Sequence, residues 1–429
     1  MKLPPANFRV GRLYAWSLSL CGLGLALGSC ADLGGQKSTA TAFPAKFQDA
    51  TPLEWSVRMA ESEMARHPAQ PRWDYTNSLF ALSLLKLGER TGNAADAAYA
   101  QTVVLGCINA DGVIAGYRQP EYQLDGLAPG KVVLAFYEKS PEPRLLTALQ
   151  TLRQQLSTQP RTASGGFWHK QTYPNQMWLD GIFMGAPFYA QYGKVFHEPA
   201  DFDDVAKQIL LIGEHTYDPK TGLFYHGWDE SKTQFWANKE TGLSPNFWGR
   251  ALGWYAMGIV DTLDFLPADH PQRGKIIELL NRLAAGIARW QDAKTGLWWQ
   301  VLDQGSREGN YLEATASCQF VCALAKGVNH GYLPREKYLG VIARGYAGIL
   351  RDLVTTDASG RLSLNQCCSV AGLGPANNPR RNGTFEYYIS EPVVSNDLKG
   401  IGPFILAGLE LERLATNADS PMTSTATHQ

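Results

Sequence analysis

The sequence predicts an all-α fold, a closed (α/α)6 barrel built from six helical hairpins. Apolar residues recur at three- and four-residue spacing in twelve segments, which is the period of amphipathic helices. Strand-like alternation is confined to short pieces such as residues 222–228 and 296–302. A loop phrase also recurs, because DPKTGLFYH at 218–226 resembles DAKTGLWWQ at 292–300 and, more loosely, residues 357–364. Successive copies are separated by about the length of two helices with their loops, and repetition at that distance is typical of stacked helix pairs.

The helical segments follow one another without a low-complexity linker between them. The predicted helices span residues 53–66, 76–91, 94–107, 126–139, 142–157, 177–193, 201–216, 248–266, 271–290, 313–329, 335–352 and 396–416. An open helical solenoid is the alternative architecture. We favour the barrel because six hairpins match ring closure and because the loops are rich in chemically active residues.

The amino-terminal region has the features of an export signal. A basic start precedes the short apolar stretch 13–30, so residues 1–29 are predicted to be a secretory signal peptide. The stretch LGSC that ends at Cys30 resembles a bacterial lipobox, and Cys30 is therefore a candidate for lipidation. The alternative is an ordinary signal peptide that is cut nearby. The protein is expected to be exported, as a periplasmic or outer-membrane lipoprotein that contacts the membrane only through this anchor.

The remainder of the chain divides into a tether, one domain and a tail. Residues 31–50 are small and polar and are predicted to form a flexible tether. Residues 51–417 form one predicted catalytic domain, and residues 418–429 are predicted to be a disordered tail.

Composition and missing motifs narrow the function. The net charge is −1 and no basic stripe is present, so a nucleic-acid partner is not expected. The chain has 12 Trp and 18 Tyr, many in glycine-containing loops, where they suit flat ligands such as sugars; interior packing is the alternative. The sequence lacks the signatures of zinc proteases, P-loop proteins, dinucleotide-binding enzymes and serine lipases.

The cysteines beyond the signal region carry no metal-site spacing. Cys318 and Cys322 lie four residues apart on a predicted helix, and Cys367 and Cys368 are adjacent. We predict that these four and Cys107 are mostly small buried apolar residues, with one disulfide left possible because the protein is exported.

Asp180 is the first candidate for chemistry. It lies in NQMWLDGIFMG, an otherwise almost wholly apolar run, near the start of a predicted helix that Pro187 should kink or split. A capping role at the helix start is the alternative. Because Trp178 and Phe183 flank it, Asp180 is expected to lie in an aromatic cleft that disfavours its charged form, which is what a general acid requires.

Five further residues are candidates for the same site. Asp125 precedes a predicted helix in YQLDG, where a plain helix cap is an equally good interpretation. His169 and His226 lie among aromatic residues in glycine-containing loops, placed to donate hydrogen bonds to an acidic substrate. Arg250 and Trp254 share one helix face, which suits a planar carboxylate beside an aromatic wall; an arginine paired with a structural acid is the alternative.

Several motifs in order resemble a known family. QMWLDGIFMGAPFYAQYG, GLFYHGWDES, NFWGRALGWYAMGIVDTLDFLP, YLEATAS and GTFEYYISEPVVSNDLKGIGPFILA are similar to the unsaturated rhamnogalacturonyl hydrolases, glycoside hydrolase family 105, which are related to the unsaturated glucuronyl hydrolases of family 88. The resemblance covers about residues 53 to 415.

The resemblance implies an (α/α)6 barrel, no metal and no cofactor. It implies hydration of the C4=C5 double bond that a lyase leaves at the non-reducing end, so the partner is an oligosaccharide that ends in an unsaturated uronate. Asp180 then corresponds to the proton donor and Asp125 to a second active-site carboxylate. The residues expected to bind substrate are Tyr75, His169, Trp178, His226, Arg250 and Trp254.

Three alternatives remain. The first is unsaturated glucuronyl hydrolase activity on another acidic glycan; motif order favours family 105 over it, but the family boundary does not determine the sugar beyond the unsaturated uronate. The second is a non-catalytic lipoprotein that captures sugars, against which the presence of Asp180 in a complete constellation speaks. The third is a helical scaffold, which predicts long surface ridges rather than glycine–aromatic loops.

Overall fold

Thirteen α-helices form the part of the chain that the computed structural model describes, residues 43–416. The helices are α1 (Pro52–Arg66), α2 (Tyr75–Thr91), α3 (Ala94–Val104), α4 (Gly130–Lys139), α5 (Pro143–Thr158), α6 (Leu179–Phe196), α7 (Pro199–Thr216), α8 (Gly249–Leu263), α9 (Arg273–Arg289), α10 (Ala314–Asn329), α11 (Arg335–Gly348), α12 (Phe385–Ser390) and α13 (Leu398–Thr416). All twelve predicted helices are present, and the short α12 is additional.

The helices close into a double ring, which confirms the barrel and excludes the open solenoid. The inner ring runs α2, α4, α6, α8, α10 and α13, and α13 packs against α2 to close it. Helices α3, α5, α7, α9 and α11 each pack outside the preceding inner helix, and α1 packs outside α13. The inner helices α6, α8 and α10 are buried along most of their length, which explains why they are apolar on nearly every face.

Three helices differ from the prediction for local reasons. The helix predicted at 126–139 begins only at Gly130, because the 3-10 turn Leu124–Leu127 and then Pro129 precede it. Pro187 lies inside α6, yet the helix continues unbroken from Leu179 to Phe196, so the predicted split is wrong. After α11 the chain makes a π-helical turn, Ile349–Leu353, rather than continuing as α-helix.

Six short strands pair as antiparallel ribbons in the loops. They are β1 (Gln176–Trp178) with β2 (Gly227–Asp229), β3 (Val354–Thr356) with β4 (Leu362–Leu364), and β5 (Cys367–Cys368) with β6 (Val393–Val394).

The loop phrase that recurs in the sequence forms a similar turn in the structure. In two copies the aspartate, Asp218 or Asp292, accepts hydrogen bonds from the threonine three residues later, and Gly222 and Gly296 adopt φ of 77° and 79°. Glycine adopts this left-handed conformation without the strain a side chain would bring.

Packed structure begins before the predicted domain boundary. Phe43 and Phe47 lie within the predicted tether, yet both are buried, and the Phe47 ring packs 5.0 Å from that of Tyr346 on α11. The predicted signal peptide, Cys30, the rest of the tether up to residue 42 and the predicted tail lie outside the described residues. No helix within residues 43–416 combines the length and the hydropathy that crossing a membrane requires.

Candidate active site

Backbone hydrogen bonds join the loops that carry the predicted site residues. The N–H of Leu179 donates to the carbonyl of His226 (3.0 Å), and the N–H of His169 donates to that of Gln176 (2.9 Å). The carbonyl of His169 accepts from the N–H of Leu124 (3.1 Å). The pairing of β1 with β2 continues the same connection. Residues from distant parts of the chain are therefore held side by side at one end of the barrel.

Asp180 is the second residue of α6 and lies against His226. Its Oδ2 is 3.1 Å from Nε2 of His226, and Nδ1 of that imidazole lies 2.7 Å from the hydroxyl of Tyr388. Asp180 makes no capping bond to the start of α6, so the capping interpretation is wrong. The aspartate is buried, but a histidine and a tyrosine stand behind it, so its setting is more polar than the neighbouring sequence predicts.

Asp125 belongs to a second charged group. Its Oδ2 is 2.7 Å from Nζ of Lys170, and its Oδ1 is 3.4 Å from Nε2 of His169. Burial alone would raise the pKa of the Asp125 carboxyl, but Lys170 and His169 outweigh it and hold that pKa below its usual value. Burial lowers the pKa of His169 to about 4. Asp125 is therefore an ionised partner of a lysine rather than a helix cap.

Aromatic rings form a continuous wall between the two carboxylates. The imidazole of His169 stacks on Trp178 with centroids 4.4 Å apart and an angle of 15°. The ring of Tyr173 lies 4.5 Å from Trp178 on the same side, and that of His226 meets Trp178 edge-on at 5.5 Å. Trp178 thus contacts residues from both charged groups, and because it is buried against the rings of His169 and Tyr173 it holds them in place.

Arg250 lies deep in the barrel, with 1% of its surface exposed. Its Nη1 donates to the carbonyl of Cys368, and the guanidinium lies 4.7 Å from the centroid of the Trp248 ring. Its Nε has no hydrogen-bond partner among the described residues, and within residues 43–416 the side chain forms no ion pair. The charge of the buried Glu313 acts on Arg250 without forming an ion pair, so the structural-acid alternative stays open, and the Nε donor of the guanidinium has no protein partner.

Tyr75 and Trp254 line the space beside these groups. The Tyr75 ring meets Trp254 edge-on at 6.2 Å, and Trp254 in turn contacts Phe183 at 4.6 Å. Burial raises the pKa of the Tyr75 hydroxyl, and the charges of Asp125 and Asp180 raise it further. Tyr75 thus lies within electrostatic reach of both carboxylates.

The structure brings all the predicted site residues within residues 43–416 to the end of the barrel where the inner helices begin. Tyr75 is the first residue of α2, Asp180 is in the first turn of α6, and Arg250 is in the first turn of α8. Helix N-termini carry partial positive charge, so this end of the barrel favours an anionic ligand.

Four residues of the site were not predicted from sequence. They are Lys170, Tyr173, Arg381 and Tyr388. Lys170 directly follows His169 and Tyr388 lies within one of the family-like motifs, which were the available signals. Nothing in the spacing of Arg381 marks it, because its contacts join loops that are far apart in sequence.

The cysteines and potential metal ligands add no further site within the described residues. All five cysteines in residues 43–416 are free and buried, so the disulfide left open by the sequence is not formed there. In the same region no group of three or more His, Cys, Asp or Glu side chains is arranged to hold a metal ion.

A cavity of about 700 Å³ opens where the inner helices end, at the end of the barrel opposite to the predicted site residues. Its charged groups largely neutralise each other; Lys326, for example, lies 2.6 Å from Asp261 and 2.5 Å from Asp264. None of the predicted site residues lines it.

A closed helical barrel with paired carboxylates and aromatic rings at its mouth, the end where the inner helices begin, is an architecture of glycoside hydrolases. Residues 53–415 match the model of Glycosyl Hydrolase Family 88, and the chain belongs to that family. A family 105 glycoside hydrolase from C. acetobutylicum has 43% sequence identity and a TM-score of 0.81, over 83% of this chain and 99% of that one. The protein is therefore an enzyme of the family 88 and 105 type.

Two curated proteins are similar over part of the chain. Protein Atu3128 of Agrobacterium fabrum is 40% identical over 54% of this chain and 100% of its own length. The unsaturated rhamnogalacturonyl hydrolase YesR of Bacillus subtilis is 29% identical over 57% of this chain and 67% of its own length.

Proposed function

We propose that the enzyme removes the 4,5-unsaturated galacturonyl residue from the non-reducing end of lyase-generated rhamnogalacturonan oligosaccharides. The family and the similarity to an unsaturated rhamnogalacturonyl hydrolase support the substrate. The inner-helix N-termini and the free part of the buried Arg250 guanidinium suit a ligand that carries a carboxylate.

The observation that carries the proposal is the unequal environment of the two carboxylates. Asp125 pairs with the charged Lys170, which holds its pKa below the usual value, so it stays ionised and cannot donate a proton. Asp180 lies 3.1 Å from the His226 imidazole, and within residues 43–416 no lysine or arginine pairs with it. Asp180 is thus the carboxyl group of the site that can carry a proton to the substrate.

Asp180 would act first as acid and then as base. Its proton adds to C4, the π electrons of the C4=C5 bond form the new C–H bond, and positive charge develops on C5 and the ring oxygen. Water then attacks C5 and gives one proton to the Asp180 carboxylate. The hydrate opens at the C5–O bond to a ketone, and the hemiacetal left at C1 collapses and releases the leaving saccharide. One water is consumed and no other reactant is needed.

Ultraviolet absorbance tests this reaction directly, because the double bond is conjugated with the carboxylate. We expect the protein to abolish the absorbance of lyase-digested rhamnogalacturonan, and in deuterated water to leave one deuterium at C4 of the product, detectable by mass spectrometry. Ordinary hydrolysis of the glycosidic bond would release the saccharide with the absorbance unchanged, and would overturn the mechanism. Loss of absorbance only with lyase-digested glycosaminoglycan would keep the mechanism and replace the substrate.

Asp180→Asn is the matching variant. We expect it to fold, to bind the oligosaccharide, and to lose at least about a thousandfold in kcat, since an amide cannot donate the proton. Asp203→Asn, which changes an exposed aspartate on the outer helix α7, is the control and should be fully active. Near-normal turnover in a folded Asp180→Asn protein would remove Asp180 from the role of acid.

A further inference from the structure

The loop 371–383 packs against the site at the mouth of the barrel, the end where the inner helices begin. Its Leu373 is fully buried in a small apolar cluster with Tyr173, Trp178 and Trp236, separate from the main core. The packing is close, since a Cβ added at Gly227 in β2 would lie 2.6 Å from Leu373 Cδ1. The loop is therefore fixed against the aromatic wall rather than standing away from it.

Arg381 extends from this loop across the two halves of the site. Its Nη1 donates to the hydroxyl of Tyr173 (3.4 Å) and its Nε donates to that of Tyr387 (3.3 Å). Tyr173 packs on Trp178 beside the Asp125 group, whereas Tyr387 precedes Tyr388, which contacts His226. Both hydrogen bonds are long, and a guanidinium has five N–H groups to donate.

Two neighbouring cations at this end of the barrel have carboxylate partners. Lys170 pairs with Asp125 at 2.7 Å and Arg380 pairs with Glu391 at 3.1 Å. Arg381 forms no ion pair with any residue of 43–416, and its charge is felt at Asp125. The charge of Glu391 reaches Arg381, but that carboxylate pairs with Arg380, so the half-buried guanidinium of Arg381 hydrogen-bonds only to hydroxyl groups and has no counter-ion of its own.

The position of Arg381 indicates which part of a substrate it meets. Arg250 is buried deep in the barrel with Asp180 nearby at the helix ends, whereas Arg381 belongs to the loop at the mouth and is only half-buried. A sugar that enters with its non-reducing end first must leave its other end at the mouth.

We propose that Arg381 binds an anionic substituent, a carboxylate or a sulfate ester, on the leaving saccharide, and so selects which oligosaccharides the enzyme accepts. This inference rests on the proposed function. Tyr173 and Tyr387 orient the guanidinium, and Gly372 leaves room for it, because a Cβ added there would overlap Nη2 of Arg381.

The test compares three substrates that share the same unsaturated uronate. One has a neutral leaving sugar, one has a leaving saccharide that carries a uronate, and one has a leaving sugar that carries a sulfate ester. For Arg381→Gln we expect KM to rise about tenfold or more with at least one of the anionic substrates, with kcat little changed. With the neutral substrate KM should stay within about twofold of wild type. The anion that shows the effect is the one that Arg381 recognises.

Two further variants separate recognition from loop structure. Gly372→Ala keeps the charge but displaces the guanidinium, so it should reproduce the selective rise in KM. Arg380→Gln changes the neighbouring arginine, which has Glu391 as its partner, and should show no selectivity. An equal rise in KM with all three substrates, or no rise with any, would overturn the proposal. Failure of the proposed function itself would instead appear as wild-type inactivity on the neutral substrate.

Discussion

At the scale of single residues, His226 links the proposed acid to the barrel wall. Its imidazole lies between Asp180 (3.1 Å) and the hydroxyl of Tyr388 (2.7 Å), and no part of the histidine is exposed. When Nδ1 carries the proton and donates to Tyr388, Nε2 is unprotonated and lies 3.1 Å from the Asp180 carboxyl, in contact with it but without an aligned hydrogen bond. Tyr388 thus fixes the orientation of the histidine without touching the reacting atoms.

Replacing Tyr388 by phenylalanine tests that positioning role. We expect Tyr388→Phe to lower kcat about three- to tenfold, to leave KM nearly unchanged, and to alter the pH profile of kcat, because the imidazole loses its fixed partner. Tyr346→Phe is the control, since the Tyr346 hydroxyl is buried with no partner in residues 43–416 and its loss should not affect kinetics. An unaltered pH profile in Tyr388→Phe would argue against positioning through His226.

His169 makes folding stability depend on pH. Burial lowers its pKa from 6.5 to about 4, so below pH 6.5 the unfolded chain takes up a proton that the folded protein does not. The contribution to stability is present above pH 6.5 and is lost as the pH falls towards 4, by up to about 3 kcal/mol. Urea unfolding between pH 7.5 and 4.5 should show a shallower slope of stability against pH in His169→Gln, and identical slopes would contradict this account.

Sequence could identify single residues of the site but not their pairing. Asp180 and His226 were recognisable from their local settings, whereas the bond from His226 to Tyr388 joins residues 162 positions apart. Nothing in the sequence around Lys170 indicates that it will form an ion pair with Asp125, which lies on another loop. That pairing decides which carboxylate is ionised, and it exists only once the barrel has closed.

At the scale of helices, the close contact between α6 and α8 positions the acid. A Cβ added at Gly258 in α8 would lie 2.8 Å from the backbone nitrogen of Phe183 and 2.9 Å from its Cα. Phe183 lies one turn beyond Asp180 on α6, so the contact sets the distance of the carboxyl group from α8. Because the added Cβ would meet backbone atoms, no flexible side chain can move aside to make room for it.

Gly258→Ala should therefore push the two helices apart. We expect a loss of about 1–3 kcal/mol in the free energy of unfolding, together with a lower kcat because Asp180 moves. Gly274→Ala on the outer helix α9 is the matched control. A Cβ there meets nothing within 4 Å, so it should be neutral or stabilising by up to about 1 kcal/mol. Urea unfolding and the absorbance assay measure both effects, and equal behaviour of the two variants would refute the argument.

The helices themselves were predictable because each long one buries one or more faces. Apolar spacing located all twelve, but α12 was missed, since six residues make less than two turns and give no clear period. Phe43 and Phe47 were missed in turn because two isolated aromatic residues in a polar stretch give no sign of where they pack.

At the scale of the whole molecule, closure joins the first and last helices of the described residues, 43–416. Helix α13 packs against α10 and α2 in the inner ring and against α1 outside it, so it connects the first helices of the domain to the preceding inner helix. The contacts of α13 with α1 and α2 are close. Ser56 of α1 donates to the carbonyl of Ile405 (3.1 Å), and a Cβ added at Gly402 would lie 2.8 Å from Leu79 Cγ on α2. The proposed site depends on this closure because its residues come from loops all around the ring.

Removing α13 should consequently unfold the whole barrel rather than one repeat. An open solenoid loses stability step by step when a terminal repeat is deleted, because each repeat contacts only its neighbours. A closed ring without α13 exposes the inner faces of α2 and α10 at once. We expect a chain that ends at residue 397 to show no cooperative thermal transition by circular dichroism and no activity. A chain that ends at Thr416 keeps every contact described above and should keep both. A cooperative transition in the shorter chain would mean that the remaining helices form a stable open array and that closure is not what holds the site together.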